Sequence, residues 1–327
     1  LRKDKNMKVL IANRDAIIQG GDTYKIAMYA HGLEKHGVEI YYTHEIENTD
    51  FAKFDLIHIF HLGHDFSYKF HLEAERTGVP YVLSPIYFPG QKNPTRYRKE
   101  MVRAARRIAM LSHGELHGIQ KLFPIAEKPM VAKKSHIIPN GINPVFLEDD
   151  DDGLVYWHPN CPNEDFVLCV GRLDTRKNQV RLVQACYELD IPIKPADDKV
   201  VATLQARASK WDGLWWGPSQ GHENLVEAYR GAKVLACPST LEVWPNVVAE
   251  GGAMGCNFVV SNYSFSFTEL KGVWACDPTI ASIKKAVAAA YKAPKSKKLQ
   301  SHFRQFTWDK AVDNILKMYK EALDEQA

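Results

Sequence analysis

Apolar residues along this chain follow two alternating rhythms. Short, mostly apolar runs at Met7–Ala12, Val38–Thr43, Phe54–Phe60, Tyr81–Ser84, Ile108–Leu111 and His136–Pro139 read as buried strands. Between them lie segments of helical period, first Ile26, Met28, Ala30 and Leu33 up to Gly37, then 65–77, 94–107 and 112–123. The pattern resumes with a strand at Phe166–Val170, a helix over 179–189, a strand at Ile191–Pro195, a helix over 197–210, a strand at Gly213–Trp216 and a helix at His222–Arg230. Strands at Lys233–Cys237, Asn257–Ser261 and Val273–Cys276 follow, then a helix ending near Pro294 and an amphipathic segment, Phe306–Ala322. Strand and helix in strict alternation predict an α/β fold of parallel sheets covered on both faces, with ligands beyond the C-terminal ends of the strands.

Composition narrows the class. A chain of 327 residues, 45% hydrophobic and 25% charged, is long enough for two globular domains. No apolar run approaches the ~18 residues of a membrane span, and LRKDKNMKVL, with residues 1–6 read as an extension before Met7, enters a strand without a signal-peptide apolar region. A cytoplasmic protein is expected. The six cysteines are scattered without a C-x-x-C pair and read as reduced core residues. Residues 1–145 hold 21 Lys and Arg against 15 Asp and Glu, the rest 21 against 24, so the front half should prefer an anionic partner. The acidic run Glu148–Asp152 before Gly153 reads as an exposed linker. The domain boundary is placed there, giving 1–147 and 148–305, with 306–327 as a terminal helix.

The stretch Cys237–Ser261 carries the most chemistry. Pro245 suits a first helical turn, leaving the amides of Asn246, Val247 and Val248 at a helix N-terminus that attracts phosphate. Glu242 precedes this end and Glu250 lies one turn inside it, on the face of Asn246. Carboxylates repel phosphate but accept hydrogen bonds from hydroxyls, and a nucleotide sugar offers both groups. Upstream, Arg172 and Lys177 stand at opposite ends of the loop after Phe166–Val170. By spacing alone they are either solvated loop cations or holders of a diphosphate. Gly20 and Gly21, after the first strand, either serve a turn or let the backbone approach a ligand, and the absence of G-x-G-x-x-G argues against a nicotinamide-dependent dehydrogenase. His58, His61, His64 and His71 are spaced weakly like metal ligands, but no cysteine or carboxylate cluster supports a complete site, so hydrogen-bonded structural histidines are the better reading. Trp215 and Trp216 read as core or interface packing.

Glu242 and Glu250 bracket seven residues, and this E-x7-E, with Gly-Ala-Met-Gly-Cys and Phe-Val-Val-Ser after it, resembles the nucleotide-sugar signature of the retaining family-four glycosyltransferases of GT-B fold. Val-Gly-Arg-Leu-x-x-x-Lys-Asn-Gln at 170–179 resembles their donor-phosphate loop, and Pro139-Asn140-Gly141 the element that leaves their first domain. The resemblance implies two Rossmann-like domains whose parallel sheets face an interdomain cleft, an acceptor domain first and a nucleotide-sugar domain second, with the C-terminal helix crossing back to the first. It implies a metal-independent hexosyl transfer with retention of configuration, no cofactor, and a UDP- or GDP-linked sugar as donor substrate. Arg172, Lys177 and the Asn246 amide would meet the departing diphosphate, Glu242 the donor-sugar hydroxyls, Glu250 the ribose, and Gly20-Gly21 the donor phosphates and acceptor. Gly-Phe-Gly, usual after the leading glutamate, is replaced by Val243-Trp244-Pro245. The family's histidine after Tyr81–Ser84 is absent from Ser84-Pro85-Ile86-Tyr87, leaving Tyr87, His61 or His64 for its contact, or nothing. An epimerase of the same architecture and a catalytically inactive nucleotide-sugar-binding protein are the alternatives.

A saccharide, a lipid-linked sugar or another anionic acceptor fits this reading. On the helix expected over 94–107, Tyr97, Met101, Ala104, Ala105 and Ile108 share one face, while Arg96, Lys99, Arg103, Arg106 and Arg107 spread over the other. That basic face is either solvated or meets an anionic membrane, which would place the protein peripherally on the inner leaflet; a nucleic-acid acceptor fits it as well.

Overall fold

The computed structural model describes residues 6–14, 21–89, 94–148, 165–171, 175–195 and 221–324. The chain divides into two units, Leu1–Gly141 with Trp308–Ala327, and Ile142–Thr307. The division thus falls just before the acidic run. Residues 149–153, the helix expected over 197–210, the strand Gly213–Trp216 with its two tryptophans, Gly20 and Arg172 lie outside the described residues.

In the first unit, β1 (Lys8–Ala12), β2 (Glu39–Thr43), β3 (Leu56–Phe60), β4 (Tyr81–Ser84), β5 (Arg107–Met110) and β6 (Ser135–Ile137) form one sheet in the order β2-β1-β3-β4-β5-β6. Every pair is parallel. Its helices are α1 (Gly21–Lys35), α2 (Asp65–Thr77), α3 (Thr95–Ala104), α4 (His113–Gln120) and α5 (Lys128–Lys134). β3 and β4 are buried at every position, as strands covered on both faces must be. The strand order reverses between β1 and β3, so the loops after these two strands diverge at a topological switch point.

The second unit repeats the plan. β7 (Val167–Cys169), β8 (Ile193–Pro195), β9 (Val234–Cys237), β10 (Asn257–Ser261) and β11 (Val273–Cys276) run parallel in the order β11-β10-β9-β7-β8. With them go α6 (Gln179–Leu189), α7 (Gly221–Gly231), α8 (Asn246–Ala253), α9 (Ile280–Lys292) and α10 (Lys297–Phe303). Alternation along the strands divides their side chains between two cores: Leu168, Leu235 and Phe258 join one, Val167, Val234 and Val259 the other. Here the order reverses between β7 and β9.

The final helix, α11 (Trp308–Asp324), belongs to the first unit. Trp308, Ala311, Val312, Ile315, Met318, Tyr319 and Ala322 recur at helical spacing and share a core with Tyr29 and Leu33 of α1. A Cβ at Gly32 would run into the Val312 side chain, so glycine sets how closely the two helices approach.

The basic helix differs from expectation. α3 ends at Ala104, because Ala105 turns to an extended conformation (φ −55°, ψ 132°) and the Arg106 N–H donates to the Tyr81 carbonyl at 2.9 Å, starting β5. Arg107 and Ile108 are therefore strand residues. Arg98 is buried, Arg103 pairs with Glu127 at 2.8 Å, and Arg107 lies 3.3 Å from Glu321. The single basic face over 94–107 is thus divided between two elements and partly neutralised. Among the described residues, no helix is long and apolar enough to cross a membrane.

Candidate active site

The second switch point is built by stitching the loop after β7 to the loop after β9. Gly171 leaves β7 at φ +140°, where a side chain would be strained, and its carbonyl accepts from Gln179 Nε2 at 3.3 Å. A turn of 3-10 helix, Thr175–Lys177, leads to Asn178 in the left-handed region (φ 60°). The Asn178 amide donates to the carbonyls of Pro238 (3.1 Å) and Pro278 (3.3 Å), and the Arg176 carbonyl accepts from the Thr240 N–H at 2.7 Å. These bonds bring Lys177 Nζ to 2.6 Å from Glu242 Oε1. The pair is mostly enclosed, the side chains 20% and 10% exposed. Burial works against the Lys177 charge, but Cys237 and Glu242 outweigh it and raise its pKa above the ordinary lysine value. Lys177 has three N–H donors and spends one on Glu242, so it can hold an anion without surrendering the carboxylate.

Glu242 is itself pinned. Its N–H donates to the Tyr263 carbonyl at 3.4 Å, and its carbonyl accepts from the Phe265 N–H at 2.9 Å. The two residues that replace glycine and phenylalanine of the family pattern are absorbed into the core: Val243 is buried, and Trp244 packs against Phe267 and Phe306 at ring separations of 4.5 and 5.3 Å. Neither needs a positive φ. Pro245 then stands at the cap of α8 rather than inside its first turn. Its carbonyl takes the Val248 N–H at 3.0 Å, so Val248 does not present its amide at the helix end as expected; Asn246 and Val247 are the first two helical residues. Glu250, one turn on, accepts from the Tyr229 hydroxyl at 2.9 Å. Burial pushes its carboxyl up to about 7, against the lowering effect of that hydrogen bond. The structure thus joins Lys177 to Glu242, and carries Asn246, Val247 and Glu250 on the helix that follows.

At the first switch point, Gly21 is an exposed residue opening α1, with Asp22 next to it. Asp22 receives both Nε (2.9 Å) and an Nη (2.7 Å) of Arg14, and lies 3.1 Å from His61 Nε2. Burial would raise the Asp22 carboxyl, but His61 and Arg14 hold it well below the usual carboxylate range. Where the family histidine is absent, Ser84 bonds to the His58 ring at 2.8 Å and the Tyr87 N–H donates to the buried Glu115 at 2.8 Å. Lys25 is 1% exposed, and burial lowers it to about 8, against the opposing charges of Glu115 and Asp22. Sequence reasoning missed this network. One signal was present: Lys25 falls on the buried stripe of α1 with Tyr29 and Leu33. No three His, Cys, Asp or Glu side chains gather as metal ligands among the described residues.

Residues 158–308 match the family described as Glycosyl transferases group 1. No curated protein matches the sequence. The fold is similar to sucrose-phosphate synthase from Thermosynechococcus elongatus, with a TM-score of 0.76 and 15% identity over 98% of this chain and 100% of that one. Anabaena HepE, in complex with UDP, has a TM-score of 0.71 at 13% identity over 95% of this chain and 99% of its own. The apo lipopolysaccharide outer core galactosyltransferase WaaB has a TM-score of 0.67 at 13% identity over 98% and 100%. The chain as a whole thus carries the GT-B fold of two Rossmann-like units, and residues 158–308 of it are similar to the group 1 glycosyl transferases.

Proposed function

We propose that the protein moves a hexosyl group from a nucleoside diphosphate donor to a hydroxyl acceptor, with retention of anomeric configuration. The observation that carries this reading is the Lys177–Glu242 pair at the switch point of the second sheet, just before the N-terminus of α8 and inside the segment that matches the group 1 family. Breaking the bond between the anomeric carbon and the diphosphate leaves an electron pair on a phosphate oxygen. Lys177 and the Asn246 end of α8 stabilise that charge, and Arg172 joins them from the same loop. Glu242 accepts from hydroxyls of the donor sugar, and Glu250 from those of the ribose. Retention rests on the likeness to family-four enzymes.

HepE was solved with UDP-glucose, so UDP-linked sugars come first among candidate donors. A thermal-shift panel of UDP- and GDP-linked sugars tests the proposal, because a ligand that binds only the folded state at 100 times its Kd stabilises it by about 2.7 kcal/mol. One class should raise Tm, and proton NMR of the product should show the donor's anomeric configuration preserved. A panel that leaves Tm unmoved would reject donor binding, and an inverted product would reject retention.

A further inference from the structure

Glu250 leans toward the start of its own helix with one of its two oxygens already taken. Side chains on a helix tilt back toward its N-terminus, so this carboxylate stands over the turn that Asn246 opens. Its Oε2 accepts from the Tyr229 hydroxyl at 2.9 Å. Oε1 has no hydrogen-bond partner among the described residues and is not sealed in the core, Glu250 being half-buried. One oxygen is thus tied to the fold and the other is open. A carboxylate serving only to tether α7 to α8 has no use for that open side; a ligand contact requires it.

The tie itself is rigid. Tyr229, on α7, is fully buried in the core of the second unit. Its ring meets Phe146 edge-on at 5.4 Å, and its carbonyl accepts from Cys256 Sγ at 3.1 Å. Gly251, next to Glu250, leaves room for the ring: a Cβ there would stand 3.3 Å from Tyr229 Cδ1 and 2.7 Å from a Leu235 methyl. Burial and the Glu250 carboxylate push the phenol well above its ordinary range, so its hydroxyl remains a donor at neutral pH. Burial also works against the Glu250 charge, and the Tyr229 bond opposes that effect by favouring the ionised form. An ionised carboxylate only accepts, which suits a diol whose two hydroxyls donate.

We propose that Tyr229 is a positioning residue for the donor's ribose: its hydroxyl fixes one oxygen of Glu250 so that the other meets the 2′,3′-diol, and the site thereby selects ribonucleotides over deoxyribonucleotides. This rests on the glycosyl-transfer reading above, in which Glu250 takes the ribose, and it involves the second unit alone.

Calorimetric titration at pH 8, where the wild-type carboxylate is ionised, compares UDP and GDP with their 2′,3′-dideoxy counterparts. Tyr229→Phe keeps the ring and its contact with Phe146 but removes the donor. For whichever nucleotide binds the wild type, Tyr229→Phe should weaken the ribonucleotide about tenfold and the dideoxynucleotide by less than about twofold. In a Glu250→Ala background it should cost no further affinity, because Tyr229 acts only through Glu250. Equal losses for both sugars, the result of a purely structural tie, or an unchanged ribonucleotide affinity would overturn the proposal. A wild type that binds neither UDP nor GDP overturns the donor reading and the ribose contact with it; a wild type that binds one of them but does not distinguish the two sugars overturns the ribose contact alone. Should Tyr229→Phe unfold, carbon-13 spectra of wild type labelled at tyrosine Cζ decide. A Tyr229 resonance that moves with the ribonucleotide and not with its dideoxy counterpart supports the proposal; one that answers both alike overturns it.

Discussion

Lys177 and Glu242 form an ion pair in an enclosed place. Lys177→Ala should lower stability by about 3 kcal/mol, since it strands a carboxylate 10% exposed, and Lys177→Ala with Glu242→Ala should recover most of that in urea denaturation. Additive losses would show that the pair contributes nothing as a pair. Glu250 gives a pH signature. Its carboxyl lies at about 7 in the fold against 4.5 ordinarily, so between these values the folded state holds a proton that the unfolded chain releases. Stability should therefore fall as pH rises from about 4.5 to about 7, by at most about 3 kcal/mol, and stay level above. Glu250→Gln should remove that slope, as denaturation at pH 5 and pH 8 would reveal. E-x7-E points to Glu242 and Glu250 from the sequence alone. The Lys177 contact, spanning 65 residues, and the His61–Asp22 contact, spanning 39, depend on strand order, which local periodicity does not encode.

Among the elements, those bounded by strong signals were the most legible. The expected spans 65–77 and 179–189 coincide with α2 and α6, each a clear period between turn residues. The basic segment 94–107 failed as one helix because Lys and Arg suit a helix by propensity, whereas pairing with Tyr81 and Val82 draws Arg106 and Arg107 toward the sheet. Arg107, the first residue of β5 and 15% exposed, lies 3.3 Å from the Glu321 carboxylate of α11, which His136 also meets at 3.1 Å. Arg107→Glu should therefore cost about 2 kcal/mol through repulsion at a half-buried site, read as a lower urea midpoint; an unchanged midpoint would mark the pair as solvated. Helix packing gives a second check. Gly32→Ala should destabilise by about 1–3 kcal/mol through its clash with Val312, and Val312→Ala in the same chain should relieve the clash.

At the scale of the whole molecule, two parallel sheets each reverse their strand order once, and each reversal carries a hydrogen-bonded carboxylate: Asp22 with His61 in one unit, Glu242 with Lys177 in the other. The alternation of strand and helix made both sheets legible; the switch points became visible only with the pairing. We propose that Lys177 and the start of α8 hold the diphosphate of a nucleotide sugar. Calorimetric titration with UDP and GDP tests it most directly, using wild type and Lys177→Ala/Glu242→Ala, the double variant in which no buried charge is left unpaired. The wild type should show one site per chain for one of the two nucleotides, and the double variant at least a tenfold weaker affinity, about 1.4 kcal/mol. A wild type that binds neither nucleotide, or a folded double variant that binds as tightly as wild type, would contradict it.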